Sequence, residues 1–126
     1  MMFINLTQHR INVYTTKFWA AAEPPEDIII AADKTRYCLV LSIPPSGQHA
    51  RVSSESIPVE REFGFEVVTN VFGSVTGLPD PSPGRNYIVS GMVLDALQGS
   101  RFDVYAPGAL LRDANGQPVG CIGLRC

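Results

Sequence analysis

Near the end of the chain, SRFDVYAPGALLRDANGQPVGCIGLRC brings together Arg101, Asp103, Tyr105, Arg112 and Asn115, residue types that can hold a small anion carrying a ring. A guanidinium presents a planar fork of donors that grips phosphate or carboxylate through two parallel hydrogen bonds, which an ammonium cannot do. Eight of the ten basic residues are arginine, the exceptions being Lys17 and Lys34, although drift in coding composition explains that bias as readily as function does. Tyr14, Tyr37, Tyr87 and Tyr105 each offer a π-face to a base. Alternation along a short strand puts Arg101 and Asp103 on one face and Phe102 and Val104 on the other. Tyr105 then either stacks on a base or fills a loop as an amphipathic side chain.

Asn115-Gly116 lies between two apolar runs and predicts a two-residue type I′ turn, which requires positive φ at both positions. In that register Ala114 pairs with Gln117, Asp113 faces Pro118 and Arg112 faces Val119. Arg112 then shares a face with Leu110, Val119 and Cys121, and Asp113 shares the other with Leu111 and Ile122. Pro118 has no donor for an outer neighbour, so the strand starting PVGCIG is an edge near its beginning. Two readings of the charges stand: they reach solvent beyond the core, or they form the polar end of an apolar-walled cleft.

Signals for catalysis are few. The chain has no phosphate-binding G-x-x-x-x-G-K, dinucleotide G-x-G-x-x-G, nucleophile-elbow G-x-S-x-G or zinc-binding H-E-x-x-H. His9 and His49 stand forty residues apart beside polar or turn stretches, with no evident metal-ligating partners. Cys38, Cys121 and Cys126 are odd in number and lack a C-x-x-C spacing, so neither a disulfide scaffold nor a zinc site is expected and a reducing compartment fits best. The expectation is a protein that is not an enzyme and needs no cofactor or metal.

The elements that must position these residues follow from composition. With 126 residues, 45% of them apolar and 17% charged, the chain supports one core. Ten prolines and eleven glycines leave little room for long helices and favour short strands joined by turns. A net charge of -2 argues against binding long nucleic acid, which needs a basic face. The opening MMFINLTQHR lacks the basic head and apolar middle of a secretory signal, and no apolar run reaches the length of a membrane span, so a cytoplasmic protein is expected.

Along the chain, MFINLTQHRINVY reads as two short strands hinged near Gln8, and FWAAAEPPED as a loop or broken turn where Trp19 packs. DIIIAA and TRYCLVLSI are the strongest strand candidates and are expected at the centre of the sheet. The glycine-bearing stretch from Ala50 to Leu78 reads as edge or meander strands, and PDPSPG as a rigid loop. Ile88, Val89, Met92, Val93, Ala96 and Leu97 mark one face of a helix over roughly residues 88 to 98. Ser90 or Asn86 would cap it, and Gly99 would end it. The fold class is α+β: a single compact domain over residues 1–126, with a mainly antiparallel β-sheet and one or two helices.

FINLTQHRINVY, IPPSGQHARV, GLPDPSPGRNYIVSGMVLDAL and RFDVYAPGALLRDANGQPVGCIGL, in that order and covering most of the chain, resemble a group of small phage proteins. The group includes the Thoeris anti-defence proteins of the first kind. The resemblance implies a sponge without catalytic activity that binds cyclic ADP-ribose isomers made by bacterial TIR-domain enzymes and so blunts the host's immune signal in its cytoplasm. Some members also take up cyclic di- or trinucleotides at separate sites. It implies homodimers with pockets shared between subunits, assembling further into hexamers. It also implies a nucleotide pocket built from an aromatic, an asparagine and arginines, roles that Asn115, Arg112, Arg101 and either Tyr87 or Tyr105 would fill, with Asp103 beside Arg101. A phage structural or accessory protein, or a nucleotide hydrolase, is the alternative reading.

Overall fold

The structure is a computed structural model that describes residues 2–17 and 28–126. Strands β1 (Met2–Asn5), β2 (Ile11–Thr15), β3 (Ile28–Ile30), β4 (Arg36–Ile43), β5 (Arg51–Val59), β6 (Val67–Thr76) and β7 (Arg85–Ile88) precede helix α1 (Gly91–Leu97). Strands β8 (Val104–Arg112) and β9 (Pro118–Arg125) follow it. Seven strands form one sheet in the order β1-β7-β8-β9-β2-β4-β3, while β5 and β6 form a separate antiparallel ribbon. The large sheet curls into a half-barrel, and the described residues are mostly strand with a single short helix. The expected loop around Trp19 falls outside the described residues.

Antiparallel ladders join β2 to β4, β3 to β4 and β8 to β9, whereas β1–β7, β7–β8 and β2–β9 are parallel. Parallel pairing explains the main departure from the sequence reading. Ile88 and Val89 were expected to open the helix, yet Ile88 ends β7, a strand flanked on both sides, and both residues are wholly buried. A short apolar run buried on both faces carries no period that separates strand from helix. The helix begins three residues later. Ser90 is its N-cap, accepting the Val93 N–H at 3.3 Å, and Gln98 closes it in the left-handed region at φ 51°.

The isoleucine-rich β3 is an edge and β4 lies next to it, so these strands are not the centre of the sheet as expected. Ile28 and Ile30 are exposed. The centre belongs to β8, β9 and β2, because the β8–β9 hairpin forms locally and each of its strands then gains a parallel neighbour. β2 joins β9 only from Cys121 onward, so the edge expected at Pro118 is present.

The core collects Leu6, Tyr87, Val89, Val93, Leu94, Val104 and Ala106, with Ala50, between the sheet, α1 and the root of the ribbon. Each fully buried aliphatic side chain in it stabilises the fold by about 1.5–3 kcal/mol. No helix among the described residues is long and apolar enough to cross a membrane.

Candidate functional site

Asn5 organises the segment that forms one wall of a sizeable concavity. It is wholly buried, and its amide donates from Nδ2 to the carbonyls of His9 (2.7 Å) and Ile43 (3.0 Å). Its Oδ1 accepts from the Thr7 N–H (2.9 Å) and the Thr7 hydroxyl (2.6 Å). The Asn5-Leu6-Thr7 sequence thus folds as a side-chain-closed turn, as asparagine favours two residues ahead of a backbone N–H. Its main chain captures a second segment: the Ser46 N–H donates to the Asn5 carbonyl and the Ala50 N–H to the Leu6 carbonyl, each at 3.0 Å. Gly77, at φ +78°, lets the His49 carbonyl pass where a Cβ would stand.

These contacts bring together residues 6–9, residues 49–52 and the start of α1 around a cleft of about 520 Å³. Leu6, Ala50, Val52, Met92 and Val93 give it apolar surface, and Gln8, His9, His49, Arg51 and Ser90 give it polar groups. Among the described residues, no aspartate or glutamate lines it. The Arg51 NH2 group approaches His49 Nδ1 at 3.4 Å, so the two side chains meet at one edge of the cleft. Volume, apolar wall and a few converging donors are the make-up of a small-molecule site, and the donors favour an anion.

The residues singled out in the sequence lie elsewhere. Arg101 and Asp103 are together: the guanidinium donates from Nε and NH2 to the two carboxylate oxygens, each at 2.9 Å, and from NH2 to the Pro79 carbonyl at 2.8 Å. Arg101 thereby holds the Asp103 carboxyl below the usual aspartate range, and the pair fastens the proline-rich loop to the segment entering β8. These residues precede the strand rather than alternating along it: Phe102 is 94% exposed while Val104 is fully buried.

Tyr87 is 1% exposed, its ring enclosed in the core and unavailable for stacking on a ligand. Tyr105 is half-buried and meets the Phe3 ring edge-on with centroids 6.2 Å apart.

Arg112 and Asn115 share the β8–β9 turn, whose geometry differs from that expected. Asn115 does not have positive φ; Gly116 does, at 79°. The Gly116 N–H donates to the Asp113 carbonyl, and the Asp113 N–H to the Gln117 carbonyl, so the loop has three residues closed by a glycine bulge. The Asp113 carboxylate accepts from the N–H groups of Asn115 (2.9 Å) and Gln117 (3.0 Å) and outcompetes the Asn-Gly preference. Arg112 consequently faces Pro118 instead of Val119, and its NH1 donates to the Gly116 carbonyl at 2.8 Å across the exposed tip.

Cys38 and Cys121 are buried free thiols and Cys126 an exposed one. Burial pushes the Cys121 thiol up, and it donates weakly to the Asn12 carbonyl. Fold and cleft together describe a curled β-sheet domain with an open, donor-rich recess. Comparison of the chain with protein-family models, with curated proteins and with solved structures finds no match.

Proposed function

We propose that this protein is a non-catalytic binder that captures a phosphate-bearing nucleotide of the cyclic ADP-ribose class in the cleft between residues 6–9, residues 49–52 and α1, and withholds it intact. The observation that carries the reading is the convergence at this cleft of three of the four segments on which the resemblance to the phage anti-defence sponges rests: FINLTQHRINVY, IPPSGQHARV and the IVSGMV portion of the third. Arg51, with donors from Gln8, His9 and His49, would take the pyrophosphate, and the Leu6–Val93 wall the base or ribose face. On this reading the site centres on Arg51 and the two histidines rather than on Arg101, which is held by Asp103 and the Pro79 carbonyl, or on Arg112 and Asn115 at the exposed β8–β9 turn.

The test is to incubate the purified protein with cyclic ADP-ribose isomers, remove free ligand, release the bound fraction by heating and identify it by mass spectrometry. Intact release is expected. Calorimetric titration of Arg51→Ala should show a loss of about 1.5–3 kcal/mol, the scale of a charged hydrogen bond. A chemically altered product would make the protein an enzyme, and wild-type affinity in Arg51→Ala would remove the cleft from consideration.

A further inference from the structure

The cleft beside Asn5 carries two side chains whose charge is conditional. Its lining offers one guanidinium, on Arg51, and two imidazoles, on His9 and His49. A guanidinium stays charged at every working pH, whereas an imidazole gains or loses its charge between about pH 5 and 8. Residues 6–9 bring His9 to the space and residues 49–52 bring His49 and Arg51, while the start of α1 brings only Ser90, Met92 and Val93. The first turn of α1 has no acidic residue, and its one aspartate, Asp95, faces Arg125 at 3.2 Å in a different recess. Both imidazoles hang from fixed backbone. The His9 carbonyl accepts from Asn5 Nδ2 at 2.7 Å and from the Thr7 hydroxyl at 3.0 Å. The Ala50 N–H ties the His49 segment to the Leu6 carbonyl, and the His49 carbonyl seats where Gly77 has no Cβ. Neither ring is paired with a carboxylate among the described residues. An anion entering the cleft is therefore the counter-charge that a proton on either ring would meet.

We infer that His9 and His49 make the cleft select its ligand by charge: it takes up protons as it captures an anion, and it favours two adjacent phosphate charges over one. This rests on the cleft being the nucleotide site proposed above. The single phosphate charge of a cyclic mononucleotide is matched by Arg51 alone. The second charge of a pyrophosphate has a partner only when an imidazole is protonated, so the preference sharpens as pH falls. By reciprocity, an anion that binds the protonated cleft better also draws protons onto the rings. Exposed ion pairs are each worth up to about fivefold in affinity, so two imidazolium groups should tighten pyrophosphate binding by roughly three- to twentyfold from about pH 8 to about pH 6.

Calorimetric titration of the full chain across that pH range, in buffers that differ in heat of ionisation, tests this. The probes are cyclic ADP-ribose isomers, with two phosphate charges, and cyclic AMP, with one. Wild-type protein should take up protons on binding the first, and its preference for the first over the second should widen toward acid. In His9→Gln/His49→Gln the exposed and half-buried rings become neutral amides, so circular dichroism should stay unchanged. That variant should bind like the wild type at the alkaline end and gain nothing toward acid; any titration of the ligand itself survives in it and cancels in the comparison. Proton uptake by the wild type is an independent reading that needs no variant. Binding without proton uptake or pH dependence, a glutamine variant that keeps both, or an equal acid gain for cyclic AMP would each overturn the inference and leave the cleft as a nucleotide site. A wild type that holds neither probe at any pH would overturn the reading of the cleft itself, and this inference with it.

Discussion

Replacing Asn5 should do more damage than replacing any other polar residue described above. Its side chain makes four hydrogen bonds, to the carbonyls of His9 and Ile43 and from the N–H and hydroxyl of Thr7, and it has no exposure to water. At about 1 kcal/mol net for each bond, with a further cost for groups left buried and unpaired, Asn5→Leu should lose about 3–5 kcal/mol. That is a large share of the 5–15 kcal/mol that typically holds a domain together. Thr7→Val removes only the hydroxyl and should cost about 1 kcal/mol. Asn5→Asp keeps the acceptor toward Thr7 but points a second oxygen at two carbonyls, so its ionised form is repelled and its folded pKa lies above the unfolded one. Such a group favours folding at acid pH and opposes it as pH rises through the folded value, so the Asp variant's deficit should grow from acid to neutral pH. Urea unfolding of the three variants, with a common m-value, measures all of this. A loss below about 1 kcal/mol for Asn5→Leu would show that water replaces the bonds, and the claim that Asn5 builds the cleft would fail.

The Arg101–Asp103 pair, each side chain 17% exposed, should give a coupling of about 1–2 kcal/mol in a double-mutant cycle by thermal or urea unfolding. Because Arg101 lowers the Asp103 carboxyl, its stabilisation is complete above the ordinary aspartate range of about 3.9 and is lost as pH falls through the depressed folded value; Asp103→Asn should lack that acid limb in a pH titration of stability. In the β8–β9 turn, Asp113→Ala should cost about 1–2 kcal/mol and Asn115→Ala less than about 0.5 kcal/mol, which melting curves resolve; the reverse order would reinstate the Asn-Gly turn.

Strand-rich architecture, the hinge near Gln8, the Ser90 cap and the edge at Pro118 were all legible, because each follows from local stereochemistry. Sheet order was not. Ile28–Ile30 has the composition of a central strand, yet its place was decided by which neighbours β8 and β9 acquired, a matter of long-range pairing. The cleft was hidden for a related reason. His9 and His49 have no spacing that links them, and what unites them is a pair of backbone hydrogen bonds from Ser46 and Ala50 to Asn5 and Leu6. The one available signal was Asn5 two residues ahead of Thr7, a turn former inside an apolar run. Conversely, Arg101 beside Asp103 and Arg112 beside the turn attract notice in a sequence, but charged residues that close can satisfy each other or the local backbone.

The parallel pairing of the first strand also sets a timetable for synthesis. Met2 pairs with Arg85, and the Leu6 N–H donates to the Ile88 carbonyl, so the N-terminal strand has no sheet partner until the ribosome has made β7. At about 5–20 residues per second, those intervening residues take roughly 4–17 s. During that interval β5 and β6, adjacent in sequence, can already pair. The ribbon is therefore presented while the wall formed by Leu6 is still unanchored and α1 has not been made. The cleft itself is therefore complete only late, once β7 has paired with β1 and α1 has been made.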